Sequence, residues 1–309
     1  MKAARIHEFG GTDVLELDEV AVPLPGPGEV LVKVYASSVN PVDQKIASGE
    51  AQLKFPVQLP LIIGWDVSGI VEKTGSGVHR FSEGDAVYGR PFPTNDGAFA
   101  EYIVVKAEEL CKKPRAIDHI NAAAVPLAGL TAWQGLFTHG QLQQGQRVLI
   151  HGGSGGVGTF AIQFAKWKGA YVITTASADN MAFVKQLGAD EAIDYNRERF
   201  EDRVGEVDLV LDLIGGETQE RSLSVVKQGG KIITTVMPEY QQQAKEKHIQ
   251  LEGFTALSEA ADLEKIAGLI DEGKVRPVIA EIIDLEDVRR AEQISRQGHP
   301  RGKIVVKVI

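Results

Sequence analysis

The stretch Arg147-Val-Leu-Ile-His-Gly-Gly-Ser-Gly-Gly-Val-Gly158 decides the reading of this chain. A short apolar run, Arg147 to His151, gives way to glycines, and Gly153, Gly155 and Gly158 satisfy the pattern G-x-G-x-x-G. In a chain holding 33 glycines the pattern alone is weak. Its setting makes it specific, because it follows a predicted strand and opens a predicted helix, Thr159 to Trp167, with a second strand at Tyr171 to Thr175. Glycines permit the tight turn and let the backbone approach a pyrophosphate, which then rests on the positive end of the helix. A turn that needs its glycines for geometry alone is the plain alternative.

Working outward, a second helix is expected at Met181 to Leu187. Further strands are expected at Glu191 to Asp194, Val207 to Ile214 and Lys231 to Val236. Strand and helix alternate at βαβ spacing, so the expectation is an α/β, doubly wound parallel sheet with helices on both faces. Upstream, the first 110 or so residues read as β-rich. Ala3 to Ile6 and Val14 to Val20 flank a Gly10-Gly11 turn, and Val30, Val32 and Val34 alternate along Glu29 to Tyr35. Downstream come Ile249 to Phe254, an amphipathic helix with Leu263, Ile266, Ala267 and Ile270 on one face, and a strand from Val275 to Ile283. A helix capped by Asp284 and stopped by Gly298 follows, then a final strand, Lys303 to Ile309.

Composition narrows the function. The 309 residues suggest about two domains. The formal net charge of -9 argues against a nucleic-acid partner. One cysteine, Cys111, excludes a disulfide framework and any thiolate-rich metal site. The first residues lack an apolar core of signal-peptide length and no stretch reads as a membrane span, so a cytoplasmic location is expected. The tip of the second strand reads Thr174-Thr175-Ala176-Ser177-Ala178-Asp179-Asn180. Neutral donors there would face a ribose 2′-phosphate. Asp179 would serve as the acid of an NAD site or as an ordinary first-turn helix residue, and no arginine stands nearby.

Several ordered landmarks carry a resemblance. They are Val39-Asn-Pro-Val-Asp-Gln-Lys45, Gly64-Trp-Asp-Val-Ser-Gly69, Phe81-Ser-Glu-Gly-Asp-Ala-Val87, Leu127-Ala-Gly-Leu-Thr-Ala-Trp133, the glycine loop and Arg301-Gly-Lys-Ile-Val305. Over essentially its whole length the chain resembles the medium-chain dehydrogenase/reductase superfamily, in its zinc-independent quinone oxidoreductase and enone reductase branch. The resemblance implies a Rossmann domain, residues 121–274, inserted in a GroES-like substrate domain, residues 1–120 completed by 275–309. It also implies an active site in the cleft between them, NADPH in preference to NADH, and a homodimer with Ile249 to Phe254 as the candidate edge. Zinc-dependent members use cysteine and histidine where this chain has Asn40 and Trp65. No two of His7, His79, His119, His139, His151, His248 and His299 share a ligand-like spacing, so no metal is expected. Without a Lewis acid, simple ketones are poor acceptors, whereas quinones and α,β-unsaturated carbonyls spread the incoming charge. The expected function is hydride transfer from NADPH to such an acceptor. A nucleotide-binding sensor or structural protein is the alternative.

The resemblance also assigns residues. Gly156 and Val157 would present amides to the pyrophosphate. Ser177, Asn180 and Tyr195 would meet the adenosine phosphate, against helix capping or packing as plain roles. Leu213, Ile214 and Val236 would support the nicotinamide half. Asn40, Lys45 and Thr131 are the catalytic candidates, with a solvated surface lysine and a helix-interior threonine as the alternatives for the latter two. Gly302 and Lys303 would border the cofactor. Trp65 would wall the acceptor pocket or lie in the core.

Overall fold

Alternation of valines makes Glu29–Ser38 a ten-residue strand with one wholly buried face. Val30, Val32 and Val34 pack against Val67, Val71, Val87, Ile103, Val105 and Leu110. This strand pairs with Val67–Thr74, Tyr102–Lys106 and Lys303–Lys307, all antiparallel, within a seven-stranded sheet. A smaller three-stranded sheet joins Leu15–Glu19, Lys2–Ile6 and Leu61–Ile62. The computed structural model describes residues 1–93, 95–298 and 300–309, so His299 lies outside the described residues.

The second sheet is six-stranded and wholly parallel. Its order is Glu191–Asp194, Tyr171–Ala176, Arg147–Ile150, Val207–Asp212, Val226–Thr234 and Gln250–Gly253. The first of these strands in the chain, Arg147–Ile150, lies beside the fourth, Val207–Asp212, with Leu149 opposite Val210. Strand order reverses there, which opens a crevice at the C-terminal ends of those strands. The sheet is doubly wound, as its alternation predicts.

The described residues form two compact units, 1–127 with 258–273 and 277–309, and 128–257 with 274–276. These boundaries differ from the expected 121–274. Helix His119–Ala123 packs its Ala123 on Ala36 and Val305, and Ala260–Asp271 likewise belongs to the first unit. The Tyr88 hydroxyl donates to Leu263 O at 2.7 Å, and Asp271 Oδ1 accepts from Ala116 N at 2.9 Å. Two elements also begin elsewhere than expected. The strand after this helix starts at Ile279, beyond Pro277, which has no N–H for a ladder. The glycine-loop helix starts at Gly156, three residues early, because its first turn is itself built from the motif. Among the described residues no helix is long and apolar enough to cross a membrane.

Candidate active site

The glycine loop leaves the sheet at His151, a fully buried residue. Ser222 donates its hydroxyl hydrogen to Thr218 O at 2.6 Å, so His151 Nε2, 2.9 Å from Ser222 Oγ, must be the donor of that pair. Nδ1 then accepts from Thr175 Oγ1 at 3.2 Å. Burial pushes the imidazole down to about 4, so it stays neutral. His151 is thus a structural tie between the loop and its neighbours. Two positions beyond it have no room for a side chain. A Cβ on Gly153 would lie 2.0 Å from Thr174 Oγ1, and one on Gly158 would lie 2.2 Å from Gly152 O. The first helical bond runs from Thr159 N to Gly155 O at 3.0 Å. The amides of Gly156, Val157 and Gly158 therefore have no acceptor within the helix and form a positive end.

Beside this cradle the second strand ends in a cluster of neutral donors. Asn180 Nδ2 lies 3.0 Å from Ser177 Oγ and 3.3 Å from Ser154 Oγ. Tyr195 N donates to Ala176 O at 3.3 Å, and the Tyr195 side chain is 47% exposed. Ser154, Ser177, Asn180 and Tyr195 therefore meet at adjoining strand tips, with Asp179 exposed on the turn between them. On the other side of the switch point Leu213 and Val236 are half-buried and Ile214 is exposed. The loop that carries Leu213 and Ile214 is held by Asp212, whose Oδ1 accepts from Ile214 N at 3.0 Å and Gly215 N at 2.9 Å.

In the first unit the sequence candidates gather around a buried polar cluster. Asp66 Oδ2 accepts from Ser38 Oγ at 2.6 Å and Asn40 Nδ2 at 2.8 Å, and Oδ1 accepts from Leu127 N at 2.7 Å. Asn40 Nδ2 also donates to Ser38 O at 3.2 Å. Lys303 Nζ donates to Val39 O at 2.7 Å and to Asn40 Oδ1, and lies 3.5 Å from Asp66 Oδ2. Several of the expected site residues are drawn into the interior of the unit. Both amide hydrogens of Asn40 are engaged inside the unit, leaving none for an acceptor. Lys303 is enclosed, and its ammonium supports Asn40. Gly302 is equally internal, with Val278 O 2.3 Å from where its Cβ would stand. Trp65 is 0% exposed, its indole donates to Asn95 O at 3.4 Å, and it packs in a core cluster with Ile63 and Phe99. Lys45 is exposed at the end of helix Pro41–Ala47, and Thr131, which belongs to the second unit, is buried in helix Pro126–Trp133.

Two further carboxyls adjoin the cluster. Asp43 Oδ2 accepts from Asn40 N at 2.6 Å while Oδ1 has no partner, and neither oxygen of buried Glu292 has one. Burial and then the Glu292 charge hold Asp43 well above the usual carboxylate range, and burial raises Glu292 to about 7. A zinc ion does not fit here. The groups at positions 40 and 65 are an engaged amide and a buried indole, with an ammonium alongside. Among the described residues one group has metal-ligand proximity, His7 with Glu16 and Asp18, and Asp18 already holds Arg5 and His7.

Sequence reasoning missed Ser154, Asp66 and Asp212 as site residues. Asp212 carried a readable signal, an acid ending the apolar strand Val207–Asp212 just before Leu213-Ile-Gly-Gly216. Asp66 stands inside the landmark Gly64-Trp-Asp-Val-Ser-Gly69, but nothing there names its partners Asn40 and Lys303.

Comparison with known proteins agrees with this architecture. Residues 26–115 match the alcohol dehydrogenase GroES-like domain, and residues 187–306 match the model described as zinc-binding dehydrogenase. The chain is 36% identical to the mitochondrial NAD(P)H oxidoreductase RTN4IP1 of Danio rerio, over 100% of this chain and 92% of that one. It is also 36% identical to the chloroplastic NADPH-dependent alkenal/one oxidoreductase of Arabidopsis thaliana, over 99% of this chain and 79% of that protein. The quinone oxidoreductase structure from Coxiella burnetii superposes with a TM-score of 0.94 at 37% identity, covering 100% and 99% of the two chains. The Escherichia coli quinone oxidoreductase structure complexed with NADPH gives 0.90 at 26% identity, covering 99% and 100%. The chain belongs to the medium-chain dehydrogenase/reductase superfamily, in its quinone oxidoreductase and alkenal reductase branch.

Proposed function

We infer that this chain is a zinc-independent, NADPH-dependent reductase of quinones or α,β-unsaturated carbonyls. The observation that carries the reading is the side-chain-free cradle at Gly153 and Gly158, flanked by the neutral donors Ser154, Ser177 and Asn180. The cradle fits a pyrophosphate on the amides of Gly156, Val157 and Gly158, and the donors with Tyr195 fit a 2′-phosphate. Bound there, the dihydronicotinamide supplies a hydride. Leu213, Ile214 and Val236 would back its ring. With no metal to stabilise an alkoxide, the acceptor must spread the charge itself, as a quinone or enone does, and solvent returns the proton. Catalysis then consists mainly of orientation. Pairing of two copies through the edge strand Gln250–Gly253 belongs to the same reading.

The test is stopped-flow mixing of the protein and NADPH with quinones, alkenals and simple ketones, following nicotinamide absorbance. Oxidation by the first two classes and not by ketones is expected. Turnover of ketones alone, dependent on added zinc, would sink the reading. Tight NADPH binding without reduction of any acceptor would instead favour a nucleotide-binding protein.

A further inference from the structure

We propose that Asp212 is the positioning residue for the nicotinamide half of the site, fixing both walls against which that ring would rest. The inference builds on the NADPH reading above and assigns a role to a carboxylate that touches neither cofactor nor acceptor. Asp212 is 0% exposed at the end of strand Val207–Asp212, and both its oxygens are fully engaged. Oδ1 gathers the amides of Ile214 and Gly215, which closes the turn that carries Leu213 and Ile214. Oδ2 accepts from Gln219 Nε2 at 2.9 Å and from Thr234 Oγ1 at 2.9 Å.

Thr234 extends the reach of this carboxylate to the next strand. Its hydroxyl spends its hydrogen on Asp212 and accepts from Val236 N at 3.2 Å. Gln219 does the same for the loop beyond. Its Nε2 also donates to Met237 O at 3.2 Å, and its Oε1 accepts from Glu239 N at 2.9 Å. The two loops also interlock sterically. A Cβ on Gly215 would stand 2.6 Å from Val236 Cγ2, so that valine fills the space where the turn has no side chain. One buried carboxylate thus sets the backbone on both sides, at Leu213 to Gly215 and at Val236. None of these bonds involves the donors Ser154, Ser177 and Asn180 at the adenosine end. The two halves of the cofactor therefore depend on separate polar networks, and they should be separable by mutation.

The chemistry of Asp212→Asn is specific. An amide NH2 in place of Oδ2 would face the Gln219 amide donor. Gln219 can turn its oxygen toward it only by giving up Glu239 N. The double variant D212N/Q219E offers the new amide an acceptor and keeps the Glu239 contact, but sets a carboxylate oxygen against Met237 O, so its recovery is partial. The experiment compares binding of NADPH with that of adenosine 2′,5′-bisphosphate, which lacks the nicotinamide, to the whole protein by calorimetry. D212N is expected to weaken NADPH about ten-fold or more and leave the bisphosphate within about two-fold. Thr234→Val should give a smaller loss of the same kind, and D212N/Q219E should recover part of it. Equal weakening of both ligands, or no change in either, would overturn the proposal. Should D212N fail to fold, T234V and Q219M read the same split. A wild-type protein that binds neither ligand would instead refute the cofactor reading itself.

Discussion

Replacing Glu292 by glutamine should remove much of the protein's sensitivity to neutral pH. The carboxyl sits 2% exposed on helix Val288–Gln297 with both oxygens unpartnered. The charged groups that act on it are Asp43 on helix Pro41–Ala47, Lys303 on the strand behind and Arg296 on its own helix. Burial lets it keep its proton up to about 7 in place of the ordinary 4.5. Between those values the folded chain holds a proton that the unfolded chain has released, so stability falls as pH rises through the window and stays low above it. The full difference is about 3 kcal/mol, a large share of a typical domain's stability. Asp43 is displaced in the same direction, so the two effects add. Glutamine keeps the shape without a charge and also lifts the pressure on Asp43. Urea unfolding of wild type and E292Q at several pH values from about 5 to about 8.5 checks this. The variant should match wild type at the acid end and exceed it at the alkaline end by up to about 3 kcal/mol. A constant difference across the range would refute the argument.

Three further outcomes follow from geometry. Gly153→Ala puts a methyl into Thr174 Oγ1, so the turn must open and NADPH affinity should fall about a hundred-fold by calorimetry. Lys303→Met strands the buried Asp66 carboxylate and should cost about 3 kcal/mol in denaturant unfolding, and adding Asp66→Asn should cost less than the sum of the singles. Cys111 is buried and its thiol is pushed up to about 12 by burial, so iodoacetamide at about pH 8 should label it only in urea, as mass spectrometry would show.

The parallel sheet was legible because its strands alternate with helices at regular spacing and the glycine loop marks where the first of them ends. The strand tip carrying Ser177 and Asn180 could be located for the same reason, whereas the place of Tyr195 beside them came from the family resemblance. Lys303 could not be located in this way. Its sequence surroundings say that it lies in a motif, but its ammonium is spent on Asn40, 263 positions earlier, and only folding brings the two together. Trp65 stayed open between wall and core, because its position was read from the metal site of relatives and nothing local in the sequence tells the two apart. The helix Ala260–Asp271 shows another limit. Its apolar stripe announces that a face is covered, yet nothing in the stripe names the unit that covers it.

The placement of Lys303–Lys307 between Glu29–Ser38 and Ile279–Asp284 has a consequence for how the protein is made. The unit built around residues 128–257 is almost continuous in the chain, so its segments are available together during synthesis. The other unit must wait with its largest sheet unfinished, since the interior strand Lys303–Lys307 is made only after the whole of 128–257. Until then Glu29–Ser38 carries an open edge beside Ala36, Ser37 and Ser38, the positions later taken by Val305, Val306 and Lys307. A ribosome that stalls short of Lys303 would therefore release a chain with one finished half and one half prone to pairing with its neighbours.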